Sequence, residues 1–105
     1  MALSGLHVAF GYAGFAGPLS ARAAALARKP VSSQTLASAG TSTIVAPPVE
    51  VSSGSAIVSL RCSQDAWIAV GSAPDATNGP RRFLAANTDL DLLCSENDRV
   101  AWIAA

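Results

Sequence analysis

Ala56-Ile57-Val58-Ser59-Leu60-Arg61-Cys62, then Ser63-Gln64-Asp65, then Ala66-Trp67-Ile68-Ala69-Val70-Gly71 is the stretch on which the reading of this chain turns. Two short apolar runs rich in β-branched and aromatic residues, separated by turn formers, have the pattern of strands. Ser63-Gln64-Asp65 between them reads as a hairpin connection. Outward from this pair, similar runs fall near Gln34–Leu36, Ser42–Ala46, Arg82–Leu84, Asp89–Cys94 and Arg99–Ala104. Between them lie Ser38-Ala39-Gly40, Pro47-Pro48, Ser52-Ser53-Gly54, the long Ser72–Pro80 loop, Ala86-Asn87 and Ser95-Glu96-Asn97-Asp98. Pro47-Pro48 cannot lie inside a central strand and marks an edge or a crossover. Many short strands with turn residues between them predict an all-β fold, a small antiparallel β-sandwich or jelly-roll-like body.

The chain before this body has a different character. Met1 to Leu19 carry no charge, and Gly5, Gly11, Gly14, Gly17 and Pro18 interrupt the stretch. It is too broken for a membrane span, and no basic region precedes it as a signal peptide requires. Pro18 to Pro30 carries the one helical signal, with Ser20 as cap, an alanine run, and Arg28 and Lys29 near the C-terminus. Residues 1–31 therefore read as an extended or short-helical N-terminal arm, and residues 32–105 as the sandwich. Leu3, Leu6, Val8, Phe10, Tyr12 and Phe15 in that arm need a surface to lie on, and a neighbouring subunit is the expected one.

Composition bounds the function. The chain has 105 residues, 50% of them hydrophobic and 13% charged, against roughly 25% charged in a typical globular domain. So few charges point to a chain stabilised by contacts with partners. Seven basic residues balance seven acidic ones, so no net field steers the chain onto nucleic acid. The balance is uneven along the chain: Arg22, Arg28 and Lys29 in the arm have no acid beside them, and the body carries the seven acids against four arginines. A basic arm and an acidic body can attract one another between copies.

Little in the chain suggests chemistry. His7 is the lone imidazole and lies in the arm, so a Ser/His/Asp arrangement lacks a base. Asp89 and Asp91 share a strand face by period 2 and read as solvated, because the following Leu-Leu-Cys supplies no calcium loop. Cys62 and Cys94 lack metal spacing and sit in apolar runs, as buried thiols packing like small hydrophobes or as a disulfide. Gly11-Tyr12-Ala13-Gly14-Phe15-Ala16-Gly17 lacks the lysine of a phosphate loop. Arg81-Arg82, after Asn78-Gly79-Pro80, reads as a loop rim bonding carboxylates or backbone carbonyls. No catalytic, cofactor or metal residue is expected, and the chain does not read as an enzyme. The expected partner-contacting residues are Leu3, Leu6, Phe10, Tyr12, Phe15, Arg22, Arg81 and Arg82.

Trp67 and Trp102 recur in Ala-Trp-Ile-Ala-Val and Ala-Trp-Ile-Ala-Ala. In a strand each Trp and its following Ile face opposite sides, so one side of each run is core and the other is free for an interface.

The run Ala66–Thr77, then Arg82-Phe83-Leu84-Ala85-Ala86, then Asn97-Asp98-Arg99-Val100-Ala101 resembles a pattern in small β-sandwich virion structural proteins of tailed bacteriophages and prophages. In those proteins a strand ending "aromatic-aliphatic-small-aliphatic-Gly" leads to a Pro-x-Ala-Thr loop, a "leucine-small-small" turn, and a last strand opened by an Asn/Gly-Asp pair. The resemblance covers about half the chain and transfers no catalytic residue. It implies a head decoration or cement protein on the capsid surface, made in the host cytoplasm, with the major capsid protein and copies of itself as partners. It implies a homo-oligomer, a trimer being the arrangement expected of a decoration protein, and neither specific nucleic acid nor membrane as partner. A neck or tail component is the alternative within the same class. Outside it, a carbohydrate-binding sandwich, which requires aromatics exposed together on one face, and a small membrane protein using Leu3–Leu19 are the alternatives.

Overall fold

The computed structural model describes residues 3–12, 30–48 and 55–105. Among these the chain forms eight strands and no helix: β1 (Leu6–Tyr12), β2 (Ser32–Leu36), β3 (Gly40–Thr41), β4 (Ala56–Cys62), β5 (Ala66–Gly71), β6 (Arg82–Leu84), β7 (Asp89–Leu93) and β8 (Arg99–Ala104). They make two four-stranded antiparallel sheets, ordered β2-β1-β4-β7 and β3-β8-β5-β6. Counting from β2 and taking β1 last turns these orders into 1-8-3-6 and 2-7-4-5, the strand order of an eight-stranded jelly roll. The first strand occupies the place that the last strand holds in the unpermuted roll.

Alternation places the core. Leu6, Val8 and Phe10 from β1 and Val58, Leu60 and Cys62 from β4 face Ala66, Ile68, Leu84, Val100 and Trp102 from the other sheet. Leu36, Ile44, Val70, Leu90, Leu92 and Cys94 pack around them, partly buried.

The arm reading is corrected at β1. Leu6–Tyr12 is a central strand of its own sheet, paired with β2 on one side and β4 on the other. Leu6, Val8, Phe10 and Tyr12 are apolar at a spacing of two and find the surface they need inside the chain itself. The body therefore begins before residue 32. The helix expected between Pro18 and Pro30 lies outside the described residues, as do Phe15 and Arg22.

Two further differences have local causes. Ser63-Gln64-Asp65 joins no hairpin, because β4 and β5 lie in different sheets. Instead Ser63 brackets the start of β1: its amide donates to Gly5 O (3.1 Å) and its hydroxyl accepts from Gly5 N (2.9 Å). Gly5 has φ +89° there, and a Cβ would lie 2.1 Å from Leu36 O, so this bracket requires glycine. The strand expected at Ser42–Ala46 is replaced by β3 at Gly40–Thr41. The Ser42 hydroxyl accepts from Val100 N (3.0 Å) and donates to Ile44 O (2.9 Å). The Gln34 side chain accepts from Thr43 N (2.9 Å). Side chains thus satisfy the backbone groups that a continued ladder would have used.

Candidate interaction surface

Register sorts the outer faces. On β2-β1-β4-β7 the outward residues line up in rows across the strands. Thr35, His7, Arg61 and Asp89 form one row; Ser33, Ala9, Ser59 and Asp91 form the next; Gly11, Ile57 and Leu93 form a third, of which Gly11 and Ile57 are buried. Small side chains at Ala9 and Ser59 leave a furrow of about 310 Å³ between these rows, lined also by His7, Leu60, Arg61, Asp89 and Asp91. Arg61 Nη1 and Asp89 Oδ1 meet at 2.9 Å, the one ion pair among the described residues. His7 Nδ1 lies 2.9 Å from the Thr35 hydroxyl. Leu93 is 74% exposed at the end of the edge strand.

The outer face of β3-β8-β5-β6 differs. Trp67 pairs with Phe83 on β6 and with Ile103 on β8, and the Trp67 and Phe83 rings meet edge to face with centroids 5.5 Å apart. The Arg81 guanidinium lies over the Trp67 ring, 4.2 Å from its centroid, and donates to Ala76 O (3.1 Å). The loop after β5 is folded onto this face: Asp75 Oδ1 accepts from Thr77 N and Asn78 N, and Ala76 is buried against Ala69 and Ala101. A Cβ at Gly79 would lie 2.8 Å from Asp75 O, so the loop closes only with glycine there. Beyond the loop, Phe83 stays 48% exposed.

Of the residues expected to touch partners, Leu6, Phe10 and Tyr12 are buried in the chain's own core, and the Tyr12 hydroxyl donates to Pro48 O (2.7 Å). They are not a free surface. Leu3 is half-buried ahead of β1, and Arg81 and Arg82 are exposed. Arg81 belongs to the aromatic face. Arg82 pairs in register with Ile68 and borders a groove of about 300 Å³ with Val70, Pro80, Leu92 and Leu93 at the open side of the sandwich. Trp67 and Phe83 were absent from the expected set; their signal was the alternation Arg81-Arg82-Phe83 after a proline, set against Trp67 on the preceding strand.

The described residues contain no group of three or more His, Cys, Asp or Glu side chains able to hold a metal. Cys62 and Cys94 are free thiols at opposite ends of β4, since Cys94 N donates to Ala56 O. Six strand residues separate those positions by roughly 20 Å, so the two cannot bond to each other. Burial, with Asp98 nearby adding a smaller effect, pushes the Cys94 thiol up to about 11. That is the opposite of a reactive cysteine. No helix among the described residues is long and apolar enough to cross a membrane.

No protein-family model, no curated protein and no solved structure matches the chain.

Proposed function

We propose that the chain is a non-enzymatic structural subunit of a tailed-phage particle, a decoration or cement protein seated on the icosahedral head against the major capsid protein and copies of itself. One observation carries this reading. The three sequence segments that bear the resemblance, Ala66–Thr77, Arg82–Ala86 and Asn97–Ala101, supply β5, β6 and the start of β8, which are neighbours in one sheet. The shared pattern is thus one continuous face, which carries Trp67, Phe83 and Arg81. Such a protein works by burying surface at junctions between subunits, and needs exposed anchors more than reactive groups.

Jelly rolls serve both capsid and lectin proteins, so the fold does not separate the virion reading from a carbohydrate-binding one. The rings do. A sugar stacks on an open aromatic face, but the Arg81 guanidinium occupies one face of Trp67, and Phe83 meets it edge-on at 72° rather than extending a flat platform.

Co-sedimentation of the full-length chain with purified capsid shells tests the proposal. Saturable binding at a lattice-wide copy number is the expected result. Incorporation at the fixed number of a single ring moves the protein to the neck or tail, and no binding to particles overturns the reading. A truncation that probes the N-terminal region as an anchor must spare Leu6–Tyr12, because those residues are the middle of a sheet.

A further inference from the structure

We infer that Asn78-Gly79 is a latent deamidation site, held shut in the folded chain by the turn that Asp75 organises and opened when that turn is released. An asparagine followed by glycine is the setting that favours this chemistry, because no Cβ hinders the glycine nitrogen. That nitrogen attacks Asn78 Cγ, gives its proton to solvent and expels ammonia, leaving a succinimide. Water then opens either carbonyl of the ring to yield aspartate or isoaspartate. The net change is one amide exchanged for one carboxylate, with water consumed and ammonia released.

Asn78 is exposed and Gly79 half-buried in the loop between β5 and β6, but the attacking atom is occupied. Gly79 N donates to Asp75 O (2.9 Å), so it is aimed at a carbonyl and away from the Asn78 side chain. The Asp75 carboxylate holds the same turn twice more, Oδ1 accepting from Thr77 N (2.9 Å) and Asn78 N (3.0 Å). Ala76, inside the turn, is buried against Ala69 and Ala101, and Arg81 donates to Ala76 O. The amides on both sides of the Asn78 Cα are therefore fixed by one residue, and attack waits for a local opening.

The fold cannot discard the reactive pair by substituting Gly79. A Cβ there would lie 2.8 Å from Asp75 O, so the turn requires the residue that most favours the reaction and restrains it by hydrogen bonding. Asn87 and Asn97 are followed by Thr88 and Asp98, whose side chains hinder the same attack, and they serve as internal comparisons. Isoaspartate at position 78 adds a methylene to the backbone inside the turn, which keeps the loop from closing again.

Incubation of the full-length protein at mildly alkaline pH, followed by tryptic mass mapping, reads each asparagine. Asn78 falls in Cys62–Arg81 and the other two in Phe83–Arg99. In the guanidinium-unfolded chain Asn78 should deamidate at least about tenfold faster than in the folded protein, the factor for a turn open less than a tenth of the time. Asp75→Ala should bring the folded rate most of the way to the unfolded one, whereas Asp75→Ser, which keeps an acceptor oxygen for the turn, should retain the protection. Equal folded and unfolded rates overturn the inference. So does an Asp75→Ala variant with native circular dichroism that reacts as slowly as the wild type, or an unfolded chain in which Asn78 is no faster than Asn87 and Asn97. If Asp75→Ala does not fold, hydrogen exchange at the Gly79 amide of the wild type decides: protection supports the shut turn, and exchange at the rate of a free peptide overturns it.

Discussion

Ala66-Trp67-Ile68-Ala69 and Ala101-Trp102-Ile103-Ala104 are the same four residues in the same order, and the fold uses them in opposite ways. They lie side by side on β5 and β8, running antiparallel, with Trp67 opposite Ile103 and Ile68 opposite Trp102. Ile68 and Trp102 point into the core, and Trp102 is 3% exposed. Trp67 and Ile103 point out, where Trp67 meets Phe83 and Arg81. Local sequence fixes that each run is a strand with a Trp on one side and an Ile on the other. The register between the runs fixes which side is which, because a slip of one residue would exchange the faces.

The comparison can be broken first at the buried member. Trp102→Ala should cost about 3–5 kcal/mol, a large share of the roughly 5–15 kcal/mol stability typical of a domain, whereas Trp67→Ala should cost about 1–2 kcal/mol through its lost ring and guanidinium contacts. Urea titrations of the two variants measure the difference; equal costs would mean that the two rings are equally buried.

Trp102→Phe sharpens the same contrast. The Trp102 indole Nε1 is buried with no hydrogen-bond partner among the described residues, a costly arrangement. Removing it offsets part of the lost ring volume, so the expected cost is roughly 1–2 kcal/mol. A cost equal to that of Trp102→Ala in the same titration would show that the N–H is satisfied.

On the outward member the expected effects are smaller. Arg81→Ala should lower stability by about 0.5–1 kcal/mol, the size of a partly exposed cation–π contact, and should make Trp67 more accessible to acrylamide. In the Trp102→Phe background, where Trp67 is the sole fluorophore of its kind, the quenching constant reports it directly. Unchanged quenching would mean that the guanidinium does not shield the ring.

The two thiols repeat the inside-to-rim contrast with the smallest effect. Cys62 is buried and Cys94 half-buried, and Cys94 holds its proton to about pH 11 against an ordinary 9.0. The folded state therefore binds the proton more tightly than the unfolded chain. Its contribution is fully present below pH 9 and is lost as pH rises through about 11. Unfolding titrations across that window should show stability falling in the wild type and a shallower fall in Cys94→Ser; identical slopes would remove Cys94 as the source.

Much of this was legible in the chain. β4, β5, β6 and β8 fall at the residues where apolar runs and turn formers place them, because those segments satisfy a local pattern that their neighbours do not disturb. β1 was masked by its surroundings. Its alternation is as regular as that of β4, but glycines and an uncharged flank on either side gave it the look of an arm, and only its pairing with β2 and β4 reveals a central strand. The surface was harder to read, since Trp67, Arg81 and Phe83 are separated by a nine-residue loop, Ser72–Pro80, and meet only because β6 returns beside β5.

The sequence by itself determined the all-β class, the bounds of half the strands and the scarcity of reactive groups, since these follow from residue type and from a period of two along the backbone. Tertiary structure alone decided which sheet each strand joins, that Leu6–Tyr12 belongs to the core, that Cys62 and Cys94 sit too far apart to bond, and which tryptophan faces solvent. Those outcomes depend on contacts between residues far apart in the chain, where the free energy of burial selects one register and one sheet order among many that the local pattern allows.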